Sequence, residues 1–242
     1  RYGTVTGVQT CALPICTLAA IAAAFLFWAT IGMVKTASAM GAIGILGVRI
    51  IGATILFTLI LVCFFRKDAA SFAAQMRANL LLVVFATLLI GTAFFLFAWA
   101  FLHGYGRSVA QAYLLIPFAT LFGGCLFFAE RLRRLQWLGV CLAGIGVTHE
   151  LIAHGFFSWL TLLQTIAVTG YFLVHRVLHR RGCTSIQLLV AEFWLLFPIA
   201  LACLVLALSS ISPFLSSFGG VAVILGLWLV TALAYQIGRA HV

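Results

Sequence analysis

Eight apolar runs divide this chain, and the connections between them alternate between cation-rich and cation-poor. The runs are 17–34, 43–65, 80–102, 109–129, 135–152, 156–174, 186–208 and 218–235, each 18 to 23 residues long. A helix rises ~1.5 Å per residue, so ~20 residues cross the ~30 Å hydrocarbon layer. The pattern predicts an all-α, polytopic membrane protein that works through or within a bilayer.

Composition excludes the main alternatives. Hydrophobic residues make up 65% of the chain and charged ones 7%, against ~25% charged in a soluble domain. A water-facing surface cannot be built from this. The formal charge of +10 does not point to nucleic acid, because a phosphate-binding protein gathers its cations on one exposed face. Here they sit in short connections at span ends.

Those connections predict the topology. Nine Lys and Arg fall in the second, fourth and sixth connections (Arg66, Lys67, Arg77; Arg131, Arg133, Arg134; Arg176, Arg180, Arg181). The odd connections hold two, Lys35 and Arg107. Cationic loops stay cytoplasmic, which puts the even connections and the N-terminus inside. The fifth run is the weakest span, since His149 and Glu150 lie near its outer end. Trp137 and Trp159 stand at span starts, where interfacial belts form, whereas Trp28, Trp99, Trp194 and Trp228 fall deeper, among packing positions.

The two ends do not belong to the pattern. Residues 237–242 can be written as a DNA string whose reverse complement, in a shifted frame, encodes residues 10–15. A ligated sequencing adapter produces that relation. The expectation is that 1–16 and 237–242 are adapter-derived and non-native, and that further helices follow Tyr235 in the complete protein.

No enzyme or cofactor signature appears. Cys63, Cys125, Cys141, Cys183 and Cys203 have no paired spacing, and most lie inside apolar runs, where Cys behaves as a small hydrophobe. His175 and His179 stand four apart, a spacing that can put two imidazoles on one helix face. No third ligand follows, and Arg176, Arg180 and Arg181 would repel a metal ion, so headgroup contact is the expectation for both. Glycine-rich phosphate loops, Gly-x-Ser-x-Gly and His-Glu-x-x-His are absent. No cofactor, metal or catalytic residue is expected.

Two ionisable residues lie at depth. Arg49 is six residues into the second run and Glu192 six into the seventh. A charge near mid-bilayer costs ~2.5–3.5 kcal/mol, so it usually faces a cavity or a partner. Two readings stay open. Arg49 snorkels and Glu192 is a hydrogen-bonded structural carboxyl, or both line a polar cavity in which Glu192 binds a cationic substrate group or a coupling proton. Their matching depths suggest two units of opposite orientation. Residues 17–152 would be a first five-helix repeat and 153–236 three helices of a second, an arrangement that permits alternating access.

The most specific string runs from the fourth run into the fifth. Tyr113 precedes Pro117 by four, Glu130 follows Pro117 by thirteen, and Arg131, Arg133-Arg134, Gln136-Trp137-Leu138-Gly139, Gly144 and Gly146 follow. This resembles the drug/metabolite transporter superfamily, in its EamA group, and most closely the RarD-type permeases. Phe27-Trp28, Arg49 and the Glu192–Leu196 stretch are also similar to RarD-type positions. The family commonly has Gly where this chain has Ala129. Physically, Pro117 removes a backbone hydrogen bond and should bend its span, either as a bend alone or as a broken site beside a cavity. Glu130 should pair with Arg133 or Arg134 at helical spacing, and Gly139, Gly144 and Gly146 should let the fifth span pack closely.

The resemblance implies a secondary transporter of the bacterial inner membrane with ten helices in two inverted halves (5+5). This chain would hold eight of the transmembrane helices and be C-terminally truncated. Expected partners are the lipid bilayer and a small organic metabolite or drug, with protons as a candidate coupling ion; nucleic acid is not a partner, and a homodimer is allowed. Trp28, Arg49, Tyr113, Tyr171 and Glu192 are the candidate residues of the substrate path, with Pro117, Glu130, Arg131 and Gly139 as the structural motif. A membrane receptor or assembly scaffold is the alternative. A membrane-embedded enzyme is disfavoured, because three of its four acidic residues (Asp68, Glu130, Glu150) lie near water.

Overall fold

The computed structural model describes residues 25, 29–64, 66–128, 134–154 and 158–239. They are helical almost throughout. Helix α1 is described over 29–36, and a 3-10 turn, Ser38–Met40, leads into α2 (Gly41–Phe64). Then come α3 (Arg66–Ala78), α4 (Leu80–Leu102), α5 (Gly106–Phe128), α6 (Arg134–His154), α7 (Trp159–Arg180), α8 (Ser185–Leu206), α9 (Leu208–Leu215) and α10 (Phe218–Arg239).

Local chemistry sets the breaks. Gly104 and Gly182 take φ of +82° and +86° just after α4 and α7, left-handed backbone that costs glycine little. Ser158 caps α7 by accepting from the Thr161 N–H at 3.2 Å. At the start of α8, Gln187 Oε1 accepts from the Thr184 N–H at 3.1 Å.

The centre is the α2–α8 pair, with α4 against both, α7 packed on α4 and α5 on α7. Small residues allow the approach. A Cβ added at Gly47 would stand 2.9 Å from the Ala200 carbonyl oxygen and 3.1 Å from the Leu204 nitrogen. Gly52 likewise receives the Trp228 ring of α10, which would lie 2.0 Å from an added Cβ. The packing expected of the fifth run is not seen, since an added Cβ at Gly144 or Gly146 would meet nothing within 4 Å. One core cluster joins Phe57, Ile90, Phe94, Tyr171 and Phe193, and a second joins Met40, Ile45, Phe97, Leu160 and Leu227. Leu59, Phe85, Leu88, Leu126, Ile166 and Leu206 are exposed, as side chains facing acyl chains would be.

The connections sort into two ends. At one, α3 lies beside the α7–α8 connection: Gln187 Nε2 donates to Ser71 Oγ at 2.8 Å, and Arg181 Nη1 to Asn79 Oδ1 at 3.2 Å. At the other, Ser158 Oγ donates to Ser108 Oγ at 2.9 Å, and α9 packs on the 3-10 turn before α2. The cationic second and sixth connections therefore share the α3 end.

The span count needs correction. Among the described residues, five helices are long and apolar enough to cross a membrane: Ser38–Phe64, Leu80–Leu102, Gly106–Phe128, Trp159–Arg180 and Ser185–Leu206. The eighth run counts only as part of a pair, α9 and α10, bent by 111°; treating that pair as one broken span makes six. The first run lies mostly outside the described residues. The fifth run forms α6 but is not among the five; Arg134 and Gln136 occupy its first turn, and Thr148, His149, Glu150 and His154 its last two. In place of eight spans of a ten-helix fold, the described residues form an all-α multi-pass fold with five such helices, or six if the bent pair is one span. Polar residues at both ends of α6 shorten the apolar stretch that it offers to lipid.

Candidate functional site

Glu192 lies seven residues into α8, about 10 Å from the α3 end. Its level on α2 is marked by Thr54, whose Oγ1 lies 3.2 Å from the Phe193 carbonyl oxygen. Glu192 is fully buried, at 0% exposure. The Tyr171 hydroxyl donates to its Oε2 at 3.0 Å, and His175 Nε2 pairs with its Oε1. The Tyr171 and His175 rings are 4.3 Å apart. One turn on, the His179 ring lies edge to face with His175 at 6.0 Å between centroids. His179 Nδ1 is 2.8 Å from the Cys183 carbonyl oxygen. A carbonyl only accepts, so that nitrogen carries the hydrogen, and Nε2 is left to accept from Ser185 Oγ at 3.4 Å.

Arg49 occupies the other half of the interior. It is 7% exposed. Its Nε donates to Thr231 Oγ1 of α10 at 3.1 Å, and its guanidinium carbon lies 5.2 Å and 5.8 Å from the Phe94 and Phe97 ring centroids, within cation–π range. Tyr113 of α5 stands edge-on to Phe97 at 6.4 Å. Its ring is 39% exposed, yet its hydroxyl end turns inward, where it interacts with Arg49 and Gln164. Two further polar atoms are buried without a hydrogen-bond partner among the described residues, Gln164 Oε1 and Trp228 Nε1. Gln111 and Thr161 extend this polar region towards the Ser108–Ser158 end.

An aromatic layer separates the two groups. The Phe193 ring is 5.2 Å from Phe57 and 5.9 Å from Phe94, and Phe94 in turn lies against the Arg49 guanidinium. Arg49 and Glu192 are therefore not brought together as a pair. A cation and an acid–imidazole pair occupy opposite sides of one apolar layer.

Of the residues singled out in the sequence, Arg49, Tyr113, Tyr171 and Glu192 all turn polar groups into this interior. Trp28, Glu130 and Arg131 lie outside the described residues, as does the expected pairing of Glu130. Pro117 is exposed on α5, which continues through it unbroken. Gly139 falls within α6. Sequence reasoning missed His175 and His179, reading them as headgroup contacts. A signal was present: Thr161, Gln164, Thr165, Tyr171, His175 and His179 recur at helical spacing and form a polar stripe on α7, interrupted at Val168.

Residues 14–149 match the EamA-like transporter family. The chain belongs to that family. This EamA-like protein is 36% identical over 109 residues to the chloramphenicol-sensitive protein RarD of Pseudomonas aeruginosa, covering 45% of the chain and 36% of that protein. It is 30% identical over 167 residues to the uncharacterized transporter PM1281 of Pasteurella multocida, covering 67% of the chain and 56% of that protein. Similarity to the uncharacterized transporter YojE of Bacillus subtilis is 26% over 219 residues, covering 88% and 70% respectively. The EamA-like chain spans less than half the length of several curated relatives that it matches. No solved structure matches it. It is a multi-pass protein of the bacterial inner membrane.

Proposed function

We propose that this EamA-like chain belongs to a secondary transporter that moves a small organic metabolite or drug out of the bacterial cell, in exchange for protons. The observation that carries the reading is the placement of buried Arg49 and buried Glu192 on either side of the Phe57–Phe94–Phe193 layer. Intramembrane charges are costly and mark substrate or ion paths. The layer can serve as the thin barrier that alternating access has to move. Gln164 Oε1 and Trp228 Nε1, buried and unpartnered, offer an acceptor and a donor to a polar cargo on the Arg49 side. The name of the Pseudomonas relative supports a drug-like cargo. The excess of cations in the even connections supports a cytoplasmic α3 end and N-terminus.

Flux of labelled chloramphenicol through proteoliposomes holding the intact gene product tests the reading, together with thermal-shift binding across a panel of organic acids, amines and amino acids. A transporter gives saturable flux or a ligand-induced shift, either of which Arg49→Leu and Glu192→Gln abolish. A receptor or scaffold gives no flux and tolerates both substitutions, and that result overturns the proposal.

A further inference from the structure

We propose that His179 and His175 form a proton relay from the α3 end of the molecule to the Glu192 carboxyl. The relay rests on the transporter reading only for the use that the proton is put to. Its geometry is a ladder on one face of α7. His179 is partly exposed one residue before the end of α7, and its Nε2 lies 3.4 Å from the Ser185 hydroxyl at the start of α8. His175, one turn deeper, is 3% exposed and touches Glu192 Oε1. The 6.0 Å between the two ring centroids closes with a change of rotamer or one bridging water. Phe193, next to Glu192 in the chain, belongs with Phe57, Ile90, Val190 and Tyr171 to one buried apolar cluster.

The step conserves protons. A proton taken up at His179 Nε2 leaves from that same nitrogen for His175 Nδ1, so His179 is neutral again with its hydrogen still on Nδ1; His175 is then an imidazolium, which passes its Nε2 proton to Glu192 Oε1. The carboxylate becomes a neutral carboxyl, and the imidazole is again neutral, now with its hydrogen on Nδ1. A ring flip or the reverse hop resets it. The Tyr171 hydroxyl keeps its proton and holds Oε2 throughout.

The charged and titratable neighbours leave this path intact. On α7, Arg176 and Arg180 lie over the Phe128 ring of α5. Arg181 and Cys183 in the connection contact Asn79. Helix α3 contributes Arg77, which is exposed, along with Arg66, Lys67 and Asp68 in its first turn. Helix α2 contributes Arg49, beyond the aromatic layer, and Cys63 at its far end; α4 and α9 carry no titratable side chain.

Infrared spectroscopy of the protein in liposomes tests the relay without a substrate. After a pH drop, the protonated-carboxyl band that Glu192→Gln removes should rise. In His179→Phe and in His175→Gln, which keeps a donor to Oε1 but cannot pass a proton, it should rise about a hundredfold more slowly, the scale of a lost positioned proton carrier, to the same final amplitude. The slowing should appear when the drop is applied on the α3 side. Equal rates in the wild type and both variants overturn the proposal; if His175→Gln does not fold, His179→Phe alone decides. Flux that persists alongside unchanged exchange rates removes the relay and leaves the transporter reading standing. Relay kinetics without any flux does the reverse.

Discussion

At Gly47 a single methyl group decides how closely two helices meet. Its Cβ would press on the Ala200 carbonyl oxygen and the Leu204 nitrogen, and backbone cannot swing aside as a side chain can. Gly47→Ala should therefore destabilise the α2–α8 pair by about 1–3 kcal/mol, read as a lower thermal midpoint in detergent. Gly144→Ala, with open space around it, should leave the midpoint unchanged. Cys183 offers a pH-dependent test at the α3 end. Burial pushes its thiol above the usual range, with the nearby Arg181 guanidinium opposing. The reactive form is the thiolate, so the raised value means less of it at neutral pH. Maleimide should label Cys183 slowly at pH 7, and the rate should climb only at a higher pH than for a free thiol. Arg181→Ala removes the opposing charge and should move that rise higher still.

At the scale of elements, the α9–α10 elbow shows how a sharp turn ahead of an apolar run sets the direction of the helix that carries it. The two helices bend by 111° around Ser217, whose Oγ accepts from the Gly220 N–H at 3.0 Å. A Cβ at Gly220 would stand 2.3 Å from the Phe214 carbonyl oxygen. Gly220→Ala should open the elbow and lower the thermal midpoint, whereas Gly219→Ala, with nothing near its Cβ position, should not. Nothing local in the sequence announces that contact, because Phe214 and Gly220 meet only once the chain has turned. Helix α7 is the opposite case. Its polar stripe from Thr161 to His179 was legible as periodicity, but the sequence did not say that α8 would place a carboxyl against it.

For the whole molecule, the grouping of connections into two ends is the property most open to test. Tags or single cysteines near Gly182 and near Ser71 should be reachable from one compartment, and those near Gly104 and Ser212 from the other. Labelling in intact cells and inverted vesicles checks this; a shared compartment for Gly182 and Ser212 would contradict the fold. Much of this arrangement was legible beforehand. The helical class, and the second and sixth connections sharing one end, follow from apolar length and cation placement, which are local sums along the chain. The candidate site was legible only in part. Arg49, Tyr171 and Glu192 stood out as polar groups in apolar surroundings, but their partners Thr231, His175 and Phe94 lie on other helices.

The sequence by itself determined that this chain is helical, multi-pass and EamA-like, because a lipid solvent imposes its demands residue by residue on every segment that enters it. Only the tertiary structure decided how many runs act as spans, which glycines carry the packing, and that an aromatic layer stands between Arg49 and Glu192. Those are matters of distance between segments far apart in the chain, and no property of one segment contains them.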